Sequence, residues 1–101
     1  MMEWLIEILG IVSTVCGNFV GRPFSDGTVY EAQAMIDRML VELKKEKYID
    51  FEHQMNVERW ESEDGWIMRA LVLKISGGCD INLRIVFDPK ENEIKVERVK
   101  D

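Results

Sequence analysis

The residues able to do chemistry are few and scattered. His53 is the sole histidine, and Cys16 and Cys79 are the only thiols, in 101 residues. An imidazole can act as a general base, or activate a thiol held within hydrogen-bond reach. Cys79 stands in the run Gly77-Gly78-Cys79-Asp80, where a tight turn can expose a thiol. The strand pairing derived below leaves it roughly 10 Å or more from His53 at about 3.3 Å per residue, too far for a Cys–His pair. No helix start adjoins Cys79 to lower its pKa, and a glycine turn alone accounts for these residues. Asp88, Glu91, Asn92 and Glu93 lack the central glycine and correctly spaced closing glutamate of a calcium loop, and read as a charged hairpin tip. Ser25-Asp26-Gly27 offers free amides before a helix, without the lysine of a phosphate loop. One histidine and no paired cysteines make no structural zinc set. The sequence therefore assigns no catalytic residue, no cofactor and no metal.

Composition narrows the partners. The formal charge is −6, and the densest basic group, Lys44, Lys45 and Lys47, is interleaved with Glu42 and Glu46. Nucleic acid calls for clustered cations, so no nucleic-acid role is expected. A content of 47% hydrophobic and 32% charged residues is that of a globular chain, read as a single domain over residues 1–101. Cys16 and Cys79 are compatible with one disulfide, but two distant cysteines fit better with reduced thiols in a cytoplasmic protein. The apolar run from Trp4 to Val20 carries Glu3 and Glu7 where a secretory leader needs positive charge. Glu7, Gly10, Ser13, Thr14 and Asn18 also interrupt it, short of the about 20 apolar residues of a membrane span, so no membrane partner is expected.

The elements that must position any site follow from periodicity. A first helix is predicted from about Met2 to Cys16, with Glu3, Glu7, Gly10 and Thr14 as one narrow polar or small stripe. Nearly everything else in it is apolar, and such a helix must be covered on more than one side. Gly17 and Asn18 are stop residues. The connection from 17 to 27 could span roughly 35 Å at about 3.3 Å per residue, enough to carry the chain across the molecule. Thr28 with Glu31 forms a capping box that opens a second helix running to about Lys47. Its face of Val29, Ala32, Met35, Ile36, Met39, Leu40 and Leu43 suits a sheet.

Residues 51 to 99 read as four strands of an antiparallel meander. Phe51, His53, Met55 and Val57 alternate with Glu52, Gln54, Asn56 and Glu58. Pairing Trp60 with Trp66 across the first turn sets Met55 opposite Leu71, and Glu52 opposite Lys74. The second turn brings Ile75 against Ile81, and the third brings Asp88 against Glu93 and Arg84 against Glu97. One face then carries Phe51, Met55, Leu71, Leu73, Leu83 and Ile85, with Arg69 obliged to reach past an edge. The other face has polar margins, but Trp66, Met68, Ala70 and Val72 run down its middle beside Trp60 and Val86. A solvated sheet face does not normally carry so many apolar neighbours together.

The expected fold is α+β: two N-terminal helices, then a four-stranded antiparallel meander, with helix packed on one sheet face. This order resembles cystatin-like and NTF2-like layouts in topology alone, with no residue motif behind it. The apolar excess implies a non-enzymatic protein-binding or regulatory module that partners itself as a homodimer or another protein. The candidate interface is Trp4, Ile8, Ile11 and Val15 of the first helix with Trp60, Trp66, Met68 and Val72 of the outer sheet face. The first helix covers either its own sheet or a neighbouring subunit. The alternative is a small-ligand protein or enzyme whose pocket, between helix and curved sheet, is lined by Tyr48 and His53.

Overall fold

The computed structural model describes residues 3–47, 50–77 and 80–99. The Trp4 side chain, Tyr48 and Cys79 lie outside what is described. The elements are α1 (Glu3–Gly17), α2 (Asp26–Lys47), β1 (Glu52–Glu61), β2 (Ile67–Ser76), β3 (Ile81–Asp88) and β4 (Glu93–Arg98). The strands form one antiparallel sheet in the order β1-β2-β3-β4. The fold is α+β, as the sequence predicts.

Both helices lie on the same face of that sheet. Val29, Ala32, Ile36 and Leu40 of α2 and Ile8, Val12, Val15 and Cys16 of α1 join Leu71, Leu73, Leu83 and Ile85 in one buried core. The connection between the helices is far shorter than its contour. Asn18, Phe19, Val20 and Arg22 each donate to the carbonyl three residues back, at 3.1 to 3.2 Å. Phe19 is buried, and Phe24 meets Phe87 edge-on with ring centroids 5.6 Å apart. These apolar anchors fold the connection into turns, so α1 comes back antiparallel beside α2, with Glu7 and Ile11 next to Met39, Glu42 and Glu46. The chain does not cross to the outer face.

The second helix starts before the predicted capping box. Ser25 is the cap: its Oγ accepts the Thr28 amide at 3.3 Å, and its carbonyl accepts the Val29 amide at 3.2 Å. Thr28 is instead buried within the first turn, its hydroxyl 3.4 Å from the Pro23 carbonyl. The earlier start places Asp26 where Arg69 can reach it. Arg69, on the apolar face, thus finds its outlet at the positive end of α2, where a carboxylate is favoured. That hydrogen bond holds the Asp26 carboxyl below its ordinary pKa, and the charges of Arg69 and Arg59 act in the same direction.

Two of the three hairpins pair as read: Ile75 opposite Ile81, Leu73 opposite Leu83, Ile85 opposite Val96 and Arg84 opposite Glu97. The first is two residues off. Trp60 faces Met68, Met55 faces Leu73, and Glu52 faces Ser76, leaving Gln54 opposite Lys74. The cause is Gly65, whose φ of +87° fixes it at the left-handed position of a turn closed by its amide on the Ser62 carbonyl at 3.0 Å. The Ser62 amide then donates to the Trp66 carbonyl at 2.8 Å, which excludes Trp66 from opposing Trp60. A shift of two leaves every side chain on its predicted face. At the far end Gly77 has a φ of +126°, and a Cβ there would lie 2.8 Å from the Asp50 carbonyl oxygen. The chain entering β1 therefore passes against a position that only glycine fits.

Candidate functional site

Because both helices share one face, no element among the described residues covers the outer face. Trp66 is 43% exposed, and Trp60, Met68 and Val72 are half-buried. Ala70 and Val86 are nevertheless buried. On the same face an ion network spans the sheet. The Arg84 guanidinium lies 4.6 Å from the centre of the Trp60 ring, its Nε donates to Glu58 Oε1 at 3.0 Å, and its Nη1 stands 3.7 Å from Glu97 Oε2. A cation drawn from β3 thus spans β2 to reach an aromatic ring and a carboxylate on β1, and a second carboxylate on β4. Trp66, at the turn end, lies beyond this network. Nearby, Lys90 of the β3–β4 turn pairs with Asp64 of the β1–β2 turn. Hydrogen bonds from Lys90 and Ser62 pull the Asp64 carboxyl down to about 2.

Asp88, part of the charged hairpin tip and opposite Glu93, is buried. Its Oδ1 accepts the amides of Lys90 and Glu91 at 3.0 and 3.1 Å, closing the β3–β4 turn, while Lys95 Nζ stands 3.9 Å from its Oδ2.

The helical half of the predicted interface divides. Ile8 and Val15 are fully buried in the chain's own core, so they leave the candidate surface. Helical geometry requires this, since positions 8, 12, 15 and 16 form the one stripe that faces the sheet. Ile11 is half-buried and faces a shallow hollow of about 380 Å³ against α2, rimmed by Glu7, Glu42 and Glu46. The outward flank of α1 consists instead of Ile6, 69% exposed, and Leu9, 38% exposed. α1 also packs against β4, whose Val96 is 45% exposed. Cys16 is buried among apolar side chains, and burial pushes its thiol up to about 11. It is a packing residue.

His53 is on the inner face, as predicted, at the border of sheet and helix. Its Nε2 lies 2.7 Å from Asp37 Oδ1 of α2, a carboxylate partner that sequence spacing did not reveal. The pair sits in an open groove of about 350 Å³ lined by Tyr30, Gln33, Ala34 and Met55. Gln33 Nε2 donates to the Met55 carbonyl at 3.5 Å, so α2 covers part of the β1 edge. An imidazole–carboxylate pair can move a proton, but no hydroxyl, thiol or amine nucleophile other than the Tyr30 phenol lines this groove.

Among the described residues, no group of three or more His, Cys, Asp or Glu side chains is placed to hold a metal ion. No described helix is long and apolar enough to cross a membrane. Sequence reasoning missed Arg84 as a cover for Trp60, because the two residues stand on strands separated by a third. It also missed Ile6 and Leu9, because an almost uniformly apolar helix gives little sign of which side faces inward. Compared with known protein families, with curated proteins and with solved structures, the chain matches none.

Proposed function

We propose that this chain is a non-enzymatic protein-binding module that works as a homodimer. The observation that supports it most is the placement of both helices on one sheet face. That arrangement leaves two apolar surfaces with no second layer over them among the described residues: the sheet strip of Trp60, Trp66, Met68 and Val72, where only the Arg84 side chain lies over Trp60, and the α1 flank of Ile6 and Leu9. Aromatic and methionine side chains are the types enriched in interface cores. Sedimentation of the intact chain over roughly 1 to 100 µM tests the reading by mass action. A species of twice 11.8 kDa that dissociates on dilution is expected. A monomer of 11.8 kDa throughout that range contradicts self-association.

A second reading is favoured by one observation, the His53–Asp37 pair at 2.7 Å beside an open groove. On that reading the groove binds a small ligand with a hydrogen-bonding group directed at the imidazole. Replacement of His53 by Ala would abolish such binding and leave the mass unchanged. Unaltered binding of a ligand retained from a small-molecule screen would reject it.

A further inference from the structure

We infer that the second copy joins at the free edge of β4, in an antiparallel pairing centred on Val96, with the outward flanks of the two α1 helices meeting above it. This rests on the homodimer reading and specifies which surface carries it. β4 ends the sheet, so its outer side has no neighbouring strand among the described residues. Val99 donates to the Asn82 carbonyl at 2.8 Å, and the register continues unbroken to Asp88 opposite Glu93. The odd-numbered residues of β4 therefore bond to β3, and the main-chain groups of Ile94, Val96 and Arg98 point outward. A two-fold axis perpendicular to the sheet keeps all helices on one side and joins the two sheets into one.

Charge selects the register. With Val96 opposite its symmetry mate, Lys95 stands directly across from Glu97 of the second copy, and the symmetry produces that pair twice. Centring on Lys95 sets Lys95 against itself and Glu93 against Glu97; centring on Glu97 sets that carboxylate against itself. Like charges directly opposite are unfavourable. Centring on Ile94 brings the strand into the turn at Asn92, whose φ is +50°. The present neighbours of Lys95 and Glu97 hold them loosely: Asp88 and Glu93 lie 3.9 Å from Lys95, and Arg84 lies 3.7 Å from Glu97. The same pairing brings Val96, 45% exposed, against its own copy, and turns Leu9 and Ile6 toward theirs. It accounts for the nearly all-round apolarity of α1. The β1 edge offers no such match. Gln33 already occupies the Met55 carbonyl, and the outward side chains there include Glu52 and Glu58 without a cation between them.

Three variants in the full chain, measured by sedimentation with circular dichroism as a check of fold, test this. V96P removes an outward amide that no described strand uses, and is expected to give a folded monomer. K95E places two like-charged pairs across the axis and is expected to weaken the dimer about tenfold or more. K95E combined with E97K restores opposite charges across the axis and is expected to recover the dimer. Within one copy the double change sets a cation at position 97 against Arg84, and a carboxylate at position 95 against Asp88 and Glu93, so recovery cannot come from intrachain pairing. A wild-type dimer that W66E converts to monomer while K95E leaves its affinity unchanged would overturn the edge pairing and leave the homodimer reading standing. A wild-type monomer at every concentration would overturn both.

Discussion

The two faces of the sheet bury their apolar residues by different means. On the inner face Leu71, Leu73 and Ile85 are covered by two helices, and their stabilisation follows the area removed from water. On the outer face Ala70 and Val86 are also buried, yet no second layer of described residues lies over them. What crosses this face is the long cationic side chain of Arg84, which lies over the Trp60 ring and meets Glu58 on one side and Glu97 on the other. The first arrangement is broad and insensitive to salt. The second depends on one residue, and it stops short of Trp66. Beside that ion network Trp66 remains 43% exposed.

The largest expected effect lies on the inner face. Leu71→Ala should cost about 2–5 kcal/mol in chemical denaturation, because a site enclosed by two helices and a sheet cannot collapse. A loss below about 1 kcal/mol would mean that the helices are not seated as described. Cys16 gives the same face a pH signature. Its thiol ionises at about 11 in the folded chain, against 9.0 when solvated. Below 9.0 both states hold the proton; above it the unfolded chain releases the proton first, so stability falls as pH rises toward about 11. Denaturation midpoints should show that decline, and Cys16→Ala should flatten it. In native buffer an alkylating reagent should leave Cys16 unmodified.

The outer face should respond more weakly and in a different way. Arg84→Ala should cost about 1 kcal/mol and shift tryptophan emission to the red, since Trp60 loses its cover. Arg84→Met, which keeps the cover and loses the charge, should hold the emission near its wild-type position and lose the salt dependence. If both variants behaved alike, the cover would be incidental. The smallest effect concerns the tie between the two turns. Asp64 ionises at about 2 when folded and at 3.8 otherwise, so its contribution is present above 3.8 and disappears as pH falls to about 2. Asp64→Asn should remove that portion of the acid unfolding curve and shift the neutral range only slightly.

Face assignment was legible in the sequence because strand alternation has a period of two, and even a two-residue error at Gly65 could not disturb it. The placement of α1 was not. Its periodicity shows one polar stripe but not which element lies opposite, and the connection is long enough for either face. What decided the matter was the burial of Phe19 and the contact of Phe24 with Phe87, tertiary facts with no local signal. The pairs Arg69–Asp26, His53–Asp37 and Arg84–Trp60 have the same origin. Each joins residues remote in sequence that only the packed fold makes neighbours. Trp66, Met68 and Val72 can be placed on one face from the sequence because they share one strand or its turn. The burial of Ile8 and Val15 cannot be read that way, because helical phase has to be inferred without a partner.

Amide hydrogen exchange along β4 tests the central claim most directly. Lys95 and Glu97 donate to β3 and should be protected at any concentration, while Ile94, Val96 and Arg98 should be protected at high concentration and lose that protection on dilution. Protection of the odd-numbered amides, with rapid exchange at Val96 that concentration does not alter, would contradict a second copy at this edge.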